Sequence, residues 1–209
     1  MIEVNGLTLS YGKKTVIENA SFKIEKGDLV AIVGENGSGK STLISAIAGA
    51  LRQKSGSIRV DGRIGYVPQG SGLIEELSFE NNLRFFTSLA GKKIPAEIPF
   101  GAEHLKKMKI KDMSGGMKKL CSIVCAVACE PDVLLLDEPC ASLDAEHKEM
   151  LLNYLCSDAV EGRTVLYIGH NSTEYEPFAQ KYLVVGDSVK LMDKREYVSI
   201  HENGAGESI

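Results

Sequence analysis

A glycine-rich segment around residue 40 is preceded by a buried strand and followed by a helix, and few folds accommodate this arrangement. Residues 29–33 are all apolar, as expected of a strand that is buried on both faces. The segment after them fits G-x-x-x-x-G-K-[S/T] and reads Gly34-Glu35-Asn36-Gly37-Ser38-Gly39-Lys40-Ser41-Thr42. Residues 41 to about 49 then have the pattern of a helix. This context predicts a phosphate-binding loop at the end of a strand.

The chemistry of such a loop follows from its backbone. Glycines let the chain curl so that successive N–H groups point at an anion, and the helix N-terminus adds partial positive charge. Lys40 would then reach the β- and γ-phosphates of a nucleotide, and the Ser41 hydroxyl would ligate Mg²⁺. The other candidate phosphate-binding residues are Gly34, Asn36, Gly37, Ser38, Gly39 and Thr42. The alternative is a tight strand-to-helix turn without a ligand.

Two adjacent acids follow a second apolar run. Residues 133–136 are apolar, and Asp137, Glu138 and Pro139 come directly after them. A strand aimed at the phosphate loop would deliver Asp137 to the metal shell and turn Glu138 toward an attacking water, and Pro139 would end the strand. An apolar run that ends in acids is a weak signal alone, but it is a strong one in the same chain as a phosphate loop.

The remaining patterns predict the fold class. A third apolar run at 165–168 and the helix-like segments between the runs indicate a mostly parallel α/β sheet. Residues 2–34 are β-rich, which predicts an N-terminal antiparallel β subdomain. Residues 183–191 predict a small hairpin. We predict one domain over residues 1–209.

The middle of the chain differs from the rest. From about residue 70 to 115 it is richer in Lys, Glu and Phe and has no buried-strand run, so we predict an inserted helical subdomain there. Ser78 is a plausible N-cap for a helix that carries Leu83 and Phe86. Residues 203–209 are polar and predict a short frayed tail.

Composition excludes some classes of function. The chain has 28 acidic and 24 basic residues, a net charge of −4, which argues against a large nucleic-acid-binding face. Its longest apolar stretch, residues 121–129, is less than half of the roughly 20 residues that span a bilayer. The first residues alternate like a strand and lack a secretory signal pattern. We therefore expect a cytoplasmic protein with no direct membrane span.

Five cysteines occur without metal-site spacing of the C-x-x-C kind. Cys121, Cys125 and Cys129 are four residues apart, on one face of a predicted helix. We interpret them as small core hydrophobes, because free Cys is among the most buried residue types. The less favoured interpretation is a metal site, which would usually need a fourth ligand. A reducing compartment without structural disulfides is expected.

Four more short motifs occur in the order in which one protein family carries them. Because of these motifs, residues 2–192 resemble the nucleotide-binding domain of ABC transporters. Met113-Ser114-Gly115-Gly116-Met117 resembles the LSGGQ signature of that family, and Ser142-Leu143-Asp144 resembles its D-loop. Gln69 is similar to the Q-loop glutamine and His170 to the switch histidine. Tyr11 lies where the family places an aromatic ring on the adenine.

The resemblance implies a role for each landmark. Gln69 would touch the metal and sense a membrane partner, and His170 would contact the γ-phosphate. Asp137 would hold Mg²⁺ through water, and Glu138 would act as the general base or orient the water. In this family Ser114, Gly115 and Gly116 complete the site of a second subunit, so that two ATP molecules lie between two copies, and Asp144 lines that contact. Each of three residues also has a purely structural interpretation. Tyr11 could cap the first strand, Gln69 could be an ordinary polar loop residue, and His170 could be structural.

Some positions depart from the family pattern. Met117 replaces the signature Gln, and together with residues 77–86 it resembles the drug-, lipid- and haem-exporter branch. Cys140-Ala141 replaces a common Thr-Ser. The basic run of Lys106, Lys107, Lys109 and Lys111 is interpreted as a solvated face, with lipid headgroups or the membrane partner as the alternative contact.

The resemblance therefore implies the ATP-hydrolysing motor of a transporter. Such a subunit binds ATP and Mg²⁺, forms a homodimer or heterodimer, and docks on a permease at the inner face of the cell membrane. The alternative is a soluble ABC ATPase that serves a cytoplasmic assembly machine. Chromosome or repair ATPases of the family carry coiled-coil or zinc insertions, for which this sequence has no pattern.

Overall fold

The structure is a computed structural model that describes residues 1–12, 14–157 and 160–204, without the side chains of Tyr11 and of residues 201–204. The chain forms two compact units. The first consists of Met1–Asp61 and Thr164–Ile209, and the second of Gly62–Arg163. The second unit contains the predicted helical insertion and extends beyond it on both sides.

The first unit begins with an antiparallel sheet. Its central strand β1 (Ile2–Tyr11) pairs with β2 (Lys14–Ile24) on one side and with β4 (Ser55–Val60) on the other. The side chains of Ile2, Val4, Leu7 and Leu9 in β1 are buried. The predicted antiparallel β subdomain is therefore confirmed.

A second sheet in this unit is mostly parallel. Strand β3 (Leu29–Val33) lies between β7 (Thr164–Ile168) and β8 (Lys181–Val185), parallel to both. Strand β9 (Val189–Asp193) pairs antiparallel with β8 and forms the predicted hairpin. The helices of the unit are α1 (Lys40–Ile47), α5 (Ser172–Tyr175) and α6 (Lys194–Gly204).

The second unit combines a strand pair with helices. Strand β5 (Ile64–Val67) lies parallel to β6 (Val133–Asp137). Its described residues include the helices α2 (Phe79–Leu89), α3 (Gly115–Ala128) and α4 (Ala145–Leu155) and the 3-10 helices Pro99–Leu105 and Ile110–Asp112. The mixed α/β fold with a mostly parallel sheet was predicted and is confirmed.

The helical part of the second unit has its own apolar core. Ser78 caps α2 as predicted, its Oγ accepting from the Asn81 N–H at 3.3 Å. Leu83 of α2 packs in one cluster with Cys121 and Cys125 of α3. Burial raises the pKa of the Cys121 thiol to about 12, so it stays protonated. The core role is confirmed for Cys121 and Cys125, whereas Cys129 is half-buried.

The C-terminal segment differs from the prediction. Helix α6 was not expected, and it includes the first two residues of the predicted tail; residues 205–209 lie outside the described part of the chain. Tyr197 of α6 stacks on Tyr182 of β8 with ring centroids 4.0 Å apart. This contact supports a helix whose polar composition gives little signal by itself. Among the residues that the structure describes, no helix is both long and apolar enough to cross a membrane.

Candidate functional site

The phosphate loop connects β3 to α1 and depends on a glycine at its start. Gly34 has φ 148°, and a Cβ atom there would lie 2.1 Å from the carbonyl oxygen of Val185 at the end of β8. No other residue fits without moving that strand. The loop therefore begins in close contact with β8. A cavity of about 510 Å³ is lined by residues 34–38, by 14–16 and by 184–187.

Lys40 holds the shape of this loop. Its Nζ donates to the carbonyl oxygens of Gly34 at 2.8 Å and of Glu35 at 2.9 Å, so the backbone wraps around the ammonium. The hydroxyl of Ser38 is buried and has no hydrogen-bond partner among the described atoms. Ser41 and Thr42 lie half-buried in the first turn of α1. The loop thus presents one cation, an unsatisfied hydroxyl and a helix N-terminus, a combination suited to an anionic ligand.

His170 follows β7 and is held through its backbone. Its N–H donates to Oε2 of Glu174 at 3.3 Å, and the hydroxyl of Tyr167 donates to the same oxygen at 3.1 Å. Glu174 is only 3% exposed, whereas the His170 side chain is exposed. A buried carboxylate therefore fixes the loop that carries this imidazole. Tyr11 ends β1, and its side chain, the predicted adenine contact, lies outside the described part of the structure.

Gln69 and the two acids are brought together by strand register. Strands β5 and β6 are parallel with Val67 opposite Leu136, so the residues after both strands leave the sheet at one edge. Asp137 is 2% exposed. The amide Nε2 of Gln69 donates to Oε2 of Glu138 at 3.2 Å. The structure therefore brings two of the predicted site residues, Gln69 and Glu138, into direct contact.

Glu138 has an unusual backbone conformation. Its φ is 48°, in the left-handed region that costs a non-glycine residue about 1–2 kcal/mol. This conformation turns the chain sharply at the end of β6, before Pro139, and directs the half-buried carboxylate to Gln69. Such strain is typical of positions where a side chain must be aimed.

The signature segment forms the start of α3. Ser114 is the N-cap, and its Oγ accepts from the N–H of Met117 at 3.3 Å. Gly115 and Gly116 form the first turn of the helix, so backbone N–H groups are exposed at its positive end. A Cβ at Gly116 would lie 2.3 Å from the carbonyl oxygen of Ser142. The D-loop backbone thus packs directly on the signature helix of the same chain.

Asp144 caps the next helix. It is the N-cap of α4, and its carboxylate accepts from the His147 N–H at 2.9 Å and contacts the His147 ring Nδ1 at 2.8 Å. These hydrogen bonds lower the pKa of Asp144. A cavity of about 310 Å³ is lined by Ser114, Gly116 and Asp144 among others. The structure therefore groups these three predicted residues around one cavity.

The close approach at Gly116 allows a direct test. Replacing Gly116 with Ala should lower the free energy of unfolding by about 1–3 kcal/mol, because the new methyl group displaces the Ser142 carbonyl. Gly115→Ala is the matched control, since its Cβ would meet only the Ser142 side chain, at 3.9 Å from Cβ and 4.0 Å from Oγ, which are ordinary contacts. Urea unfolding without nucleotide measures both variants. Equal stability of the two would contradict the proposed contact.

Several residues of these sites were not predicted. Lys119, Glu174, His104 and His147 were not singled out, although each contacts or lines a candidate site. Helical spacing places Lys119 one turn after Gly115 and Gly116, but a Lys118-Lys119 pair is also typical of a solvated face. No sequence signal distinguishes the two.

Comparisons with known proteins identify the family of this chain. The family model described as ABC transporter matches residues 17–141, which is more than half of the chain. An uncharacterized ABC transporter ATP-binding protein of Methanocaldococcus jannaschii is 31% identical over 219 residues, covering 97% of this chain and 84% of the relative. A Nod factor export ATP-binding protein of Rhizobium meliloti is 32% identical over 222 residues, which cover 96% of this chain and 66% of the relative.

A solved structure has the same fold. It is a dimeric ATP-binding cassette in a post-hydrolysis state bound to ADP and Pi, with a TM-score of 0.76 and 22% identity, covering 92% of this chain and 98% of its own. This similarity establishes the fold alone. The family model and the identity to the Methanocaldococcus jannaschii relative show that this chain belongs to the ABC transporter family of ATP-binding proteins.

Proposed function

We propose that this chain is the ATP-binding and ATP-hydrolysing motor subunit of an export-type ABC transporter. The observation that carries the proposal is the hydrogen bond from Gln69 to Glu138, which places a carboxylate at the edge where the Q-loop and the end of β6 meet. A glutamate held in this way can orient a water and accept its proton. The phosphate loop supplies the groups that bind the nucleotide.

Each residue has a distinct part in the proposed reaction. Lys40, with the backbone of residues 34–42, binds and neutralises the phosphates. Glu138 accepts a proton from the attacking water or orients it, and general-base groups contribute typically 10²–10⁴-fold to such reactions. His170 donates to the γ-phosphate, and Glu174 fixes the backbone of that loop. Tyr11 stacks on the adenine.

Three of the candidate site residues have side chains of the chemical kind that binds magnesium. Mg²⁺ prefers oxygen ligands and retains several waters, and Ser41, Gln69 and Asp137 provide a hydroxyl, an amide oxygen and a carboxylate. Gln69 donates through its nitrogen to Glu138, which leaves its amide oxygen as the ligand atom. When bound, the ion would neutralise negative charge that develops on the phosphate oxygens.

We further propose that the working form is a dimer around two ATP molecules. The signature N-terminus and Asp144 line a cavity of about 310 Å³, and a helix start with exposed N–H groups is suited to a γ-phosphate of the other copy. The related cassette was solved as a dimer, which supports this assembly. The structure and comparisons are compatible with a homodimer or a heterodimer.

The proposed partner is a separate membrane permease, with this subunit on the inner face of the cell membrane. The relative from Rhizobium meliloti is named for Nod factor export, which favours the exporter direction. The alternative, a soluble ABC ATPase of an assembly machine, would use the same catalytic residues without a permease.

Purification of the native protein after mild detergent extraction tests the partner. We expect a polytopic membrane protein in stoichiometric amount, identified by mass spectrometry of the purified complex. The control is the same preparation without detergent, which should lose this component. Soluble partners alone, with ATP hydrolysis intact, would contradict the transporter proposal and favour the assembly function.

A further inference from the structure

Lys119 is a buried cation that the proposed reaction does not yet use. It lies in the second turn of α3 and is 5% exposed, and among the described residues it is the one buried lysine or arginine. Its neighbour Lys118 is half-buried and pairs with Glu75 at 2.9 Å. A charge is rarely buried unless its hydrogen bonds are satisfied, so the partners of Lys119 indicate what it does.

Both partners lie in the loop that follows β5 and carries Gln69, which is called the Q-loop here. The Nζ of Lys119 donates to the carbonyl oxygen of Pro68 at 2.7 Å and to that of Gln69 at 2.9 Å. These carbonyls directly follow β5. One ammonium therefore holds two consecutive backbone groups of the loop against α3, with short charge-assisted hydrogen bonds.

The held loop carries the side chain that contacts Glu138. The backbone oxygen of Gln69 accepts from Lys119 while its side-chain nitrogen donates to Glu138, so both ends of this residue are fixed. The two acids also interact with Lys119 by charge: burial lowers its pKa, whereas Asp137 and Glu138 oppose that shift. The cation thus lies within the electrostatic reach of the acids.

We propose that Lys119 is a positioning residue that fastens the Q-loop to the signature helix and thereby fixes Gln69 against Glu138. The inference rests on the proposed function, because it assigns Lys119 a role in ATP hydrolysis. It adds a physical connection: α3 carries the signature at its N-terminus and, one turn later, the contact that holds the Q-loop. A displacement of α3 is transmitted through Lys119 to the residue that orients Glu138.

A double-mutant cycle tests this role. Lys119→Met should lower kcat about 10-fold or more while KM for ATP changes less than about twofold, because Lys40 and the phosphate loop, which bind the nucleotide, are unchanged. In a Gln69→Ala background the same substitution should change kcat less than about twofold, since no side chain remains to position. Lys118→Met is the matched control and should leave both constants unchanged, because Lys118 pairs with an exposed carboxylate, that of Glu75, and contacts no described residue of the candidate site in this way.

Other outcomes would overturn the proposal. An equal loss of kcat with and without the Gln69 side chain would mean that Lys119 acts only through its charge on Asp137 and Glu138. An unchanged kcat in Lys119→Met would exclude any role in hydrolysis. If Lys119→Met does not fold, as judged by circular dichroism, Lys119→Gln replaces it in the same cycle, because it also lacks the charge and the reach.

Hydrogen exchange separates this inference from the proposed function. In the wild-type protein without nucleotide, the amides of residues 69–73 should exchange more slowly than in Lys119→Met and at the same rate as in Lys118→Met. This result does not depend on ATP hydrolysis. A wild-type protein without ATPase activity would refute the proposed function, whereas equal exchange in all three proteins would refute the fastening of the Q-loop by Lys119.

Discussion

Replacing Glu138 with Gln should slow ATP turnover by about 10²–10⁴-fold while leaving ATP binding intact. The amide is isosteric, and its oxygen can still accept from the Gln69 Nε2, so the strained turn at φ 48° is retained. What is lost is the ability to take a proton from water. An ATP-bound dimer should therefore accumulate, because hydrolysis no longer reopens it.

Two measurements check this expectation. Steady-state phosphate release reports turnover, and light scattering with ATP and Mg²⁺ reports the dimer. Glu130→Gln is the matched control: Glu130 also has a positive φ, 47°, but it is exposed and pairs with Lys92, so turnover should remain normal. A Glu138→Gln protein that stays monomeric with ATP and still hydrolyses it would refute the catalytic assignment.

The largest effect on binding is expected at Lys40. Lys40→Ala removes the cation that would neutralise the phosphates and also the two hydrogen bonds to the Gly34 and Glu35 carbonyls that hold the loop. Each hydrogen bond of a charged group contributes about 1.5–3 kcal/mol. ATP affinity should therefore fall by about 100-fold or more.

Isothermal titration with ATP in the presence of Mg²⁺ measures this loss directly. Lys26→Ala, a change in the exposed turn before β3, is the control and should bind like the wild type. Circular dichroism shows whether the Lys40 variant is folded. Unchanged ATP affinity in a folded Lys40→Ala protein would exclude the proposed phosphate contact.

The elements that were predicted within one or two residues have local signals, whereas β4, β5 and α4 were not predicted. Strands β3, β6 and β7 are apolar runs whose residues are almost all buried, and such runs are visible without any knowledge of neighbours. The Ser78 cap and the β8–β9 hairpin likewise depend on a few adjacent residues. Helix α6 was missed because its stabilising contact, Tyr197 on Tyr182, joins it to another element.

The residues of the candidate site likewise fall into two groups, those with a local sequence signal and those without one. Lys40 and Glu138 could be named from short patterns, because phosphate loops and acid-ended strands require particular residues at fixed spacing. The backbone contacts of Lys119 and the packing requirement at Gly116 could not be predicted. Lys119 binds carbonyls 50 residues away, and Gly116 is required to be glycine by the distant carbonyl of Ser142.

Sequence alone therefore specified the candidate chemical groups of this protein and several of the strands and helices that carry them, since residue type, apolar periodicity and short spacings are local properties. Which backbone groups those side chains hold depended on the three-dimensional structure. Burial determines these contacts. Lys118 and Lys119 are the same residue type in adjacent positions, yet Lys118 pairs with Glu75 and Lys119 is enclosed against the Q-loop. Only the packing of α3 against the loop after β5 distinguishes them.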